Sequence, residues 1–231
     1  MALSKDDIRQ LRASLSNAQS KCEMEAIMEK MPSRFRKVVR GVAENDSSHV
    51  VSVKVNGIFF QHRAYAAWTK ILSRVYDPSY LNRNPTYRDC DIDERWLKFS
   101  AFEAWWKENY VEGYSLDKDL LTPRSKIYSP ETCVYIPQSL NVFALDSSSY
   151  RGEWPVGVSW NARKRLYQAT IHNFEGRIKC LGYRDNPEDA HQLWLKEKIA
   201  IANKLRPLCD SIHPNLFEGI LRKIEMLSEG K

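Results

Sequence analysis

Between positions 163 and 184 the chain places Arg163, Lys164, Arg165, Arg177, Lys179 and Arg184 against a single carboxylate, Glu175. The whole 231-residue sequence has a formal charge of +6, so nearly all of its cationic excess lies in this one stretch. Ammonium and guanidinium groups gathered at that density neutralise the phosphates of a polyanion. Among them runs Tyr167-Gln168-Ala169-Thr170-Ile171-His172. In a strand this alternation turns Gln168, Thr170 and His172 to one face and Tyr167, Ala169 and Ile171 to the other. Short polar side chains supply donors and acceptors for base edges, while flanking cations hold phosphates. A shallow sheet with this chemistry suits the major groove of double-stranded DNA better than the deep, narrow groove of RNA.

The elements that must position these side chains are legible around them. Strands are expected at 156–161, 166–172 and 177–183, separated by the turns Ala-Arg-Lys-Arg and Asn-Phe-Glu-Gly. Asn186 as N-cap and Pro187 at the first helical position then start a long helix. Ala190, Leu193 and Trp194 on that helix are expected to cover the apolar row.

The order Val156-Gly157-Val158-Ser159-Trp160, a basic turn, Tyr167-Gln168-Ala169-Thr170-Ile171, Leu181-Gly182-Tyr183 and Pro187-Glu188-Asp189-Ala190 resembles the Apetala-two/ethylene-response-factor DNA-binding domain. The resemblance covers about fifty residues and implies a three-stranded sheet in the major groove, backed by one helix. By position it puts Ser159, Asn161, Gln168, Thr170 and His172 on the face that reads bases and phosphates. Arg163, Lys164, Arg165, Arg177 and Lys179 are then the expected phosphate contacts. The plant members carry Arg, Trp and Glu on that face, so their base preference does not transfer.

Upstream, Ser4 and Asp7 have capping-box spacing, with Ile8, Leu11 and Leu15 at helical intervals. Residues 1–45 read as a helical extension. Asn56-Gly57 sits between Val50-Val51-x-Val53-x-Val55 and Ile58-Phe59, the pattern of a tight hairpin. Residues 62–77 and 95–110 carry aromatics at helical spacing, Trp68 and Trp96, Phe99, Phe102 and Trp106 among them, and these are expected to form core. Beyond them 114–121 reads as a strand, 122–129 as a loop, and Ser129-Pro130-Glu131 as a helix start.

A second resemblance spans about 62–205. Tyr65-x-x-Trp68, Arg83-Asn84-Pro85-Thr86-Tyr87, Trp96-Leu97-x-Phe99, Leu116-Asp117-Lys118-Asp119, Tyr128-Ser129-Pro130-Glu131-Thr132-Cys133 and Ile136-Pro137 run in the order seen in phage-encoded HNH endonucleases of homing type that carry an Apetala-two-like domain. It implies a ββα-metal core holding a divalent cation, Mg²⁺ by its chemistry, against a scissile phosphate, with water activated by a neighbouring base. Asp117 and Asp119, two residues apart on one strand face, are then the candidate metal ligands, and Lys118, the third member of the catalytic set, stands where that family places a histidine. A lysine with an ordinary pKa of about 10.4 is a poor base near neutrality and serves better as a cation on the phosphate. Ser125 and Thr132 occupy the positions expected for a later Asn ligand, Asn141 is the next Asn along, and His62 is the best histidine from elsewhere in the chain.

The fold class expected is therefore α+β, in four parts: a helical extension at 1–45, an HNH-like ββα-metal module at 46–145, the basic sheet and helix at 155–206, and a helical tail at 207–231. The alternative to an endonuclease is an inactive HNH-fold DNA-binding regulator or host-takeover factor. Cys22, Cys90, Cys133, Cys180 and Cys209 never form Cys-x-x-Cys, so they are read as reduced thiols rather than zinc ligands. The N-terminus lacks the apolar run of a signal peptide, and no stretch reaches the length of a membrane span. The expected setting is the cytoplasm of a bacterial host.

Overall fold

The computed structural model describes residues 3–33, 36–144, 153–172 and 177–229. The turn expected at 173–176 and most of the stretch 146–154 lie outside them. The described chain mixes helix and strand, an α+β protein. Its contacts gather into two compact units: Met1–Asn109 with Lys126–Ser129, and Tyr110–Ser125 with Pro130–Lys231. The expected module at 46–145 is thus shared between them.

In the first unit, helix α1 (Lys5–Asn17) begins at a capping box: the Ser4 hydroxyl accepts from the Asp7 amide, and the Asp7 carboxylate accepts from the Ser4 amide. Helix α2 (Lys21–Lys30) follows, capped by Ser20. Leu15, Ile27, Met28 and Met31 pack together, joined by Val53, Val55 and Phe60 from a hairpin. Helical structure does not continue to residue 45 as expected. Strands β1 (Lys37–Val39) and β2 (Ala43–Asn45) pair instead, turning through Arg40 and Gly41 at φ 54° and 77°.

The Asn56-Gly57 hairpin is present as β3 (Ser52–Val55) and β4 (Ile58–Gln61), with both turn residues at positive φ, 50° and 82°. Helix α3 (Arg63–Tyr76) follows, then the short α4 (Pro78–Arg83), strand β5 (Asp91–Ile92) and α5 (Phe99–Asn109). Trp68, Trp96, Phe99 and Phe102 are fully buried, as the spacing predicts. The Trp68 indole N–H donates to the Trp96 carbonyl at 2.7 Å, so this buried polar group is satisfied.

The second unit opens with β6 (Tyr114–Asp117). Ile127–Tyr128 forms a short strand, β7, that pairs with β5 in the first unit's fold. Strand β8 (Val134–Pro137) runs antiparallel to β6, with Leu116 opposite Tyr135 and Asp117 opposite Val134. Helix α6 (Gln138–Ala144) comes next. The helix start expected at Ser129-Pro130-Glu131 is a turn, because the β-branched and aromatic run 134–136 pairs as a strand and delays the helix to Gln138.

The C-terminal sheet consists of β9 (Val158–Asn161), β10 (Leu166–His172) and β11 (Ile178–Arg184), with β10 central. Helix α7 (Pro187–Ile212) starts at the expected Asn186 cap and runs six residues beyond 206, and α8 (Leu216–Glu229) follows. Ala169, Ile171, Ala190 and Trp194 are buried between sheet and helix. Gly157 fits Trp194 so closely that a Cβ there would lie 2.1 Å from the indole Cδ1.

Candidate nucleic-acid interface

Cross-strand neighbours share a face, and the register sorts the sheet into two. Gln168 lies opposite Ser159 and Tyr183, Thr170 opposite Cys180, His172 opposite Ile178, and Asn161 opposite Leu166. These residues form the outer face, away from α7. A bulge between Ala169 and Thr170 places Leu181 as the extra residue, and Leu181 packs toward Trp194. Ser159 and His172 are exposed on the outer face, with Asn161, Gln168 and Thr170 half-buried.

The turn joining β9 to β10 is built by Asn161. Its side-chain carbonyl accepts from the Lys164 amide at 3.1 Å, and its backbone carbonyl accepts from the Arg165 amide at 2.8 Å. Arg165 takes φ 53° to close the loop. Arg163, Lys164 and Arg165 are all exposed. The Lys164 ammonium lies 3.7 Å from the Tyr183 ring centroid, which lays one of the turn cations over the outer face.

Lys179 does not join them. It pairs with Ile171 on the helix-facing side, and its ammonium meets the Glu197 carboxylate of α7 at 2.8 Å. Lys179, expected among the phosphate contacts, is thus on the opposite face from the polar row and bonded to Glu197. The signal was available: Lys179 stands two residues before Leu181, and the alternation that turns Leu181 inward carries Lys179 to the same side. Arg177 is exposed just before β11.

The Asp117-Lys118-Asp119 segment has a different character. Strand β6 ends at Asp117, so Asp119 lies in the following bend rather than on the strand. Asp117 Oδ1 accepts from the Asp119 and Leu120 amides at 2.8 and 2.9 Å, the bonding of a side chain that fastens a turn. Burial pushes its carboxyl above the ordinary aspartate value, against the pull of those amide bonds. The Lys118 side chain is buried, and its ammonium donates to the Asp119 carboxylate and to the Ser125 carbonyl. A hard cation needs several open oxygens. In this arrangement one Asp117 oxygen holds the turn and Lys118 is already the cation beside Asp119, so the donor set does not fit a bound metal.

His62 belongs to the other unit, where it is 1% exposed. Its Nδ1 accepts from the Ala64 amide, which leaves the proton of the neutral ring on Nε2, facing Glu29 Oε1 at 3.3 Å. Burial holds it below the ordinary histidine value, and with both nitrogens engaged it is no solvent-facing base. Around it lies a group that the sequence did not announce. Among the described residues Glu29, His62 and Glu103 bring ligand atoms within 4.8 Å of one another, a spacing that could hold a metal ion. Lys107 places its ammonium 2.8 Å from Glu29 and 3.5 Å from Glu103, and His49 Nε2 meets Glu103 at 2.7 Å. Burial opposes the charged His49 ring, but the Glu103 hydrogen bond and charge outweigh it and raise its pKa.

Neither a family model, nor a curated protein, nor a solved structure matches this chain.

Proposed function

We propose that this chain binds double-stranded DNA through the outer face of the sheet β9–β11. The observation that carries the reading is the coincidence, on one face, of the polar row Ser159, Asn161, Gln168, Thr170 and His172 with the exposed Arg163-Lys164-Arg165 turn at its edge. Cations at the rim suit phosphates and short polar groups within suit base edges, so one surface offers both kinds of contact. Lys179, bonded to Glu197 on the other side, takes no part.

A second reading, metal-dependent DNA cleavage of the HNH homing type, is supported by the chain order in the second unit. An antiparallel pair, β6 and β8, leads directly into α6, with Asp117 at the end of the first strand. Strand, loop and helix in this order are what the HNH resemblance implies. The commitments of Asp117, Lys118 and Asp119 to their own turn favour the binding-only alternative.

One experiment tests both readings. The purified chain is titrated with labelled duplex DNA over a range of salt, and then incubated with supercoiled plasmid in Mg²⁺, in Mn²⁺ and in chelator. Salt-dependent duplex binding without nicking is the expected result. Absence of salt-dependent binding overturns the first reading. Nicking that disappears with chelator and with Asp117→Asn establishes the second.

A further inference from the structure

Side-chain amides are usually ambiguous readers, because either end can turn toward a ligand. In this sheet the ambiguity is removed by a chain of bonds that starts at a backbone amide. The Lys164 N–H can only donate, so the Asn161 group facing it is the carbonyl, at 3.1 Å. That turns the Asn161 Nδ2 toward β10, where it donates to Gln168 Oε1 at 3.0 Å. Gln168 Oε1 is therefore held toward β9, and its Nε2 reaches the other way, 3.5 Å from Cys180 Sγ on β11.

An amide oxygen has two acceptor sites and an amide nitrogen two hydrogens. One of each is taken within the sheet, and one of each remains on a side chain that belongs to the face away from α7. We infer that Gln168 is the base-selecting residue of the proposed DNA-binding face, and that it selects adenine. It offers one acceptor on the β9 side and one donor on the β11 side. Adenine is the base whose major-groove edge presents an N6 donor beside an N7 acceptor, the complement of that pair. Because the bond chain fixes which end is which, it also fixes which DNA strand carries the adenine at that position.

This inference rests on the DNA-binding reading, and the experiment keeps the two apart. Duplexes with a randomised core are selected on the full chain, and the bound pool is sequenced for the unaltered protein, Gln168→Ala and Asn161→Asp. Both substitutions are at the sheet surface, and circular dichroism checks that each variant folds. The unaltered protein is expected to enrich one adenine position by roughly five- to a hundredfold over other bases. Gln168→Ala is expected to lose enrichment at that position alone.

Asn161→Asp keeps the turn, since a carboxylate also accepts from the Lys164 amide, but it can only accept from Gln168. The Gln168 amide then turns over, and the preferred adenine moves to the opposite strand at the same position. Base ratios are compared within each pool, so the affinity lost to the added negative charge does not enter. No retention of any duplex would overturn the DNA-binding reading itself. Retention with the same motif in Gln168→Ala, or with the adenine on an unchanged strand in Asn161→Asp, overturns the base-reading inference alone.

Discussion

Replacing Arg163, Lys164 and Arg165 together by Gln tests the interface at its most quantitative point. These three cations are exposed on a turn whose backbone is tied by Asn161 and whose central ammonium rests on Tyr183. Each phosphate neutralised by a cation contributes about 0.9 to the slope of log affinity against log salt. If each turn cation holds one phosphate, the triple variant reduces that slope by about 2.7. Between 50 and 200 mM salt, the unaltered chain then loses about fortyfold more affinity than the variant. Lys179→Gln is the single-charge control: it removes one charge, from the face covered by α7 and beside Glu197. It is expected to leave the slope within about 0.3 of the original, well under one phosphate. Fluorescence anisotropy of a labelled duplex across a salt series reads both. Equal slopes for the triple variant and the unaltered chain, or a Lys179→Gln effect as large as the triple's, would refute the assignment of this face.

Three further outcomes follow from the packing and the charges. Gly157→Ala drives a methyl into Trp194 at a residue held at φ 81°, and is expected to cost about 2 to 5 kcal/mol by urea denaturation. Gly113→Ala, at φ 79° with nothing within 4 Å, costs only the backbone part, about 1 kcal/mol; equal losses at the two positions would remove the Trp194 argument. Glu103→Gln leaves the buried His49 ring without its anionic partner, at a cost of about 3 kcal/mol. The raised folded pKa of His49 contributes stability below its ordinary 6.5 that is lost as pH rises through the raised value. The lowered pKa of Glu103 contributes stability above its ordinary 4.5 that is lost as pH falls. The Glu103→Gln deficit in thermal denaturation is therefore largest between those two values and narrows toward alkaline pH; a deficit that grows there contradicts the pairing. Asp117→Asn keeps a carbonyl for both turn amides and stays within about 0.5 kcal/mol of the unaltered chain. Asp117→Ala loses about 1 to 2 kcal/mol, and a loss as large in the Asn variant would show that the charge, not the turn, is what the fold uses.

Where local rules were strong, the sequence was a good guide. Ser4 with Asp7, Asn56-Gly57 and Asn186-Pro187 each act within a few residues of themselves, and each forms the cap or turn its chemistry predicts. The alternation in β10 placed the outer row correctly because one face had a helix to bury against. Two features were missed for different reasons: one is a short hairpin with no Asn-Gly-type turn signal, the other a contact between residues far apart in the chain. The hairpin at 37–45 lies in a stretch read as helical. The His49–Glu103 contact joins residues 54 apart, and no spacing rule connects them.

The Asp117-Lys118-Asp119 run shows why residue type and spacing alone overstate a site. Two carboxylates flanking a cation read as ligands when placed on one strand face, because alternation would then aim both into the same space. That inference needs the strand to continue through Asp119, and it ends at Asp117. Once it ends, the turn exposes backbone amides that need acceptors, and the nearest carboxylate takes them. The lysine that follows is buried, and a buried ammonium needs acceptors just as firmly, so it draws in Asp119 and the Ser125 carbonyl. Asp117 Oδ1, the Lys118 ammonium and Asp119 Oδ1 are thus all engaged by their own neighbours. On the outer face of the sheet the balance runs the other way: the hydrogen bonds through Asn161 and Gln168 orient the Gln168 amide and use only one of its two acceptor sites and one of its two hydrogens. That residual capacity, rather than the presence of carboxylates, is what favours the sheet as the working surface of this chain.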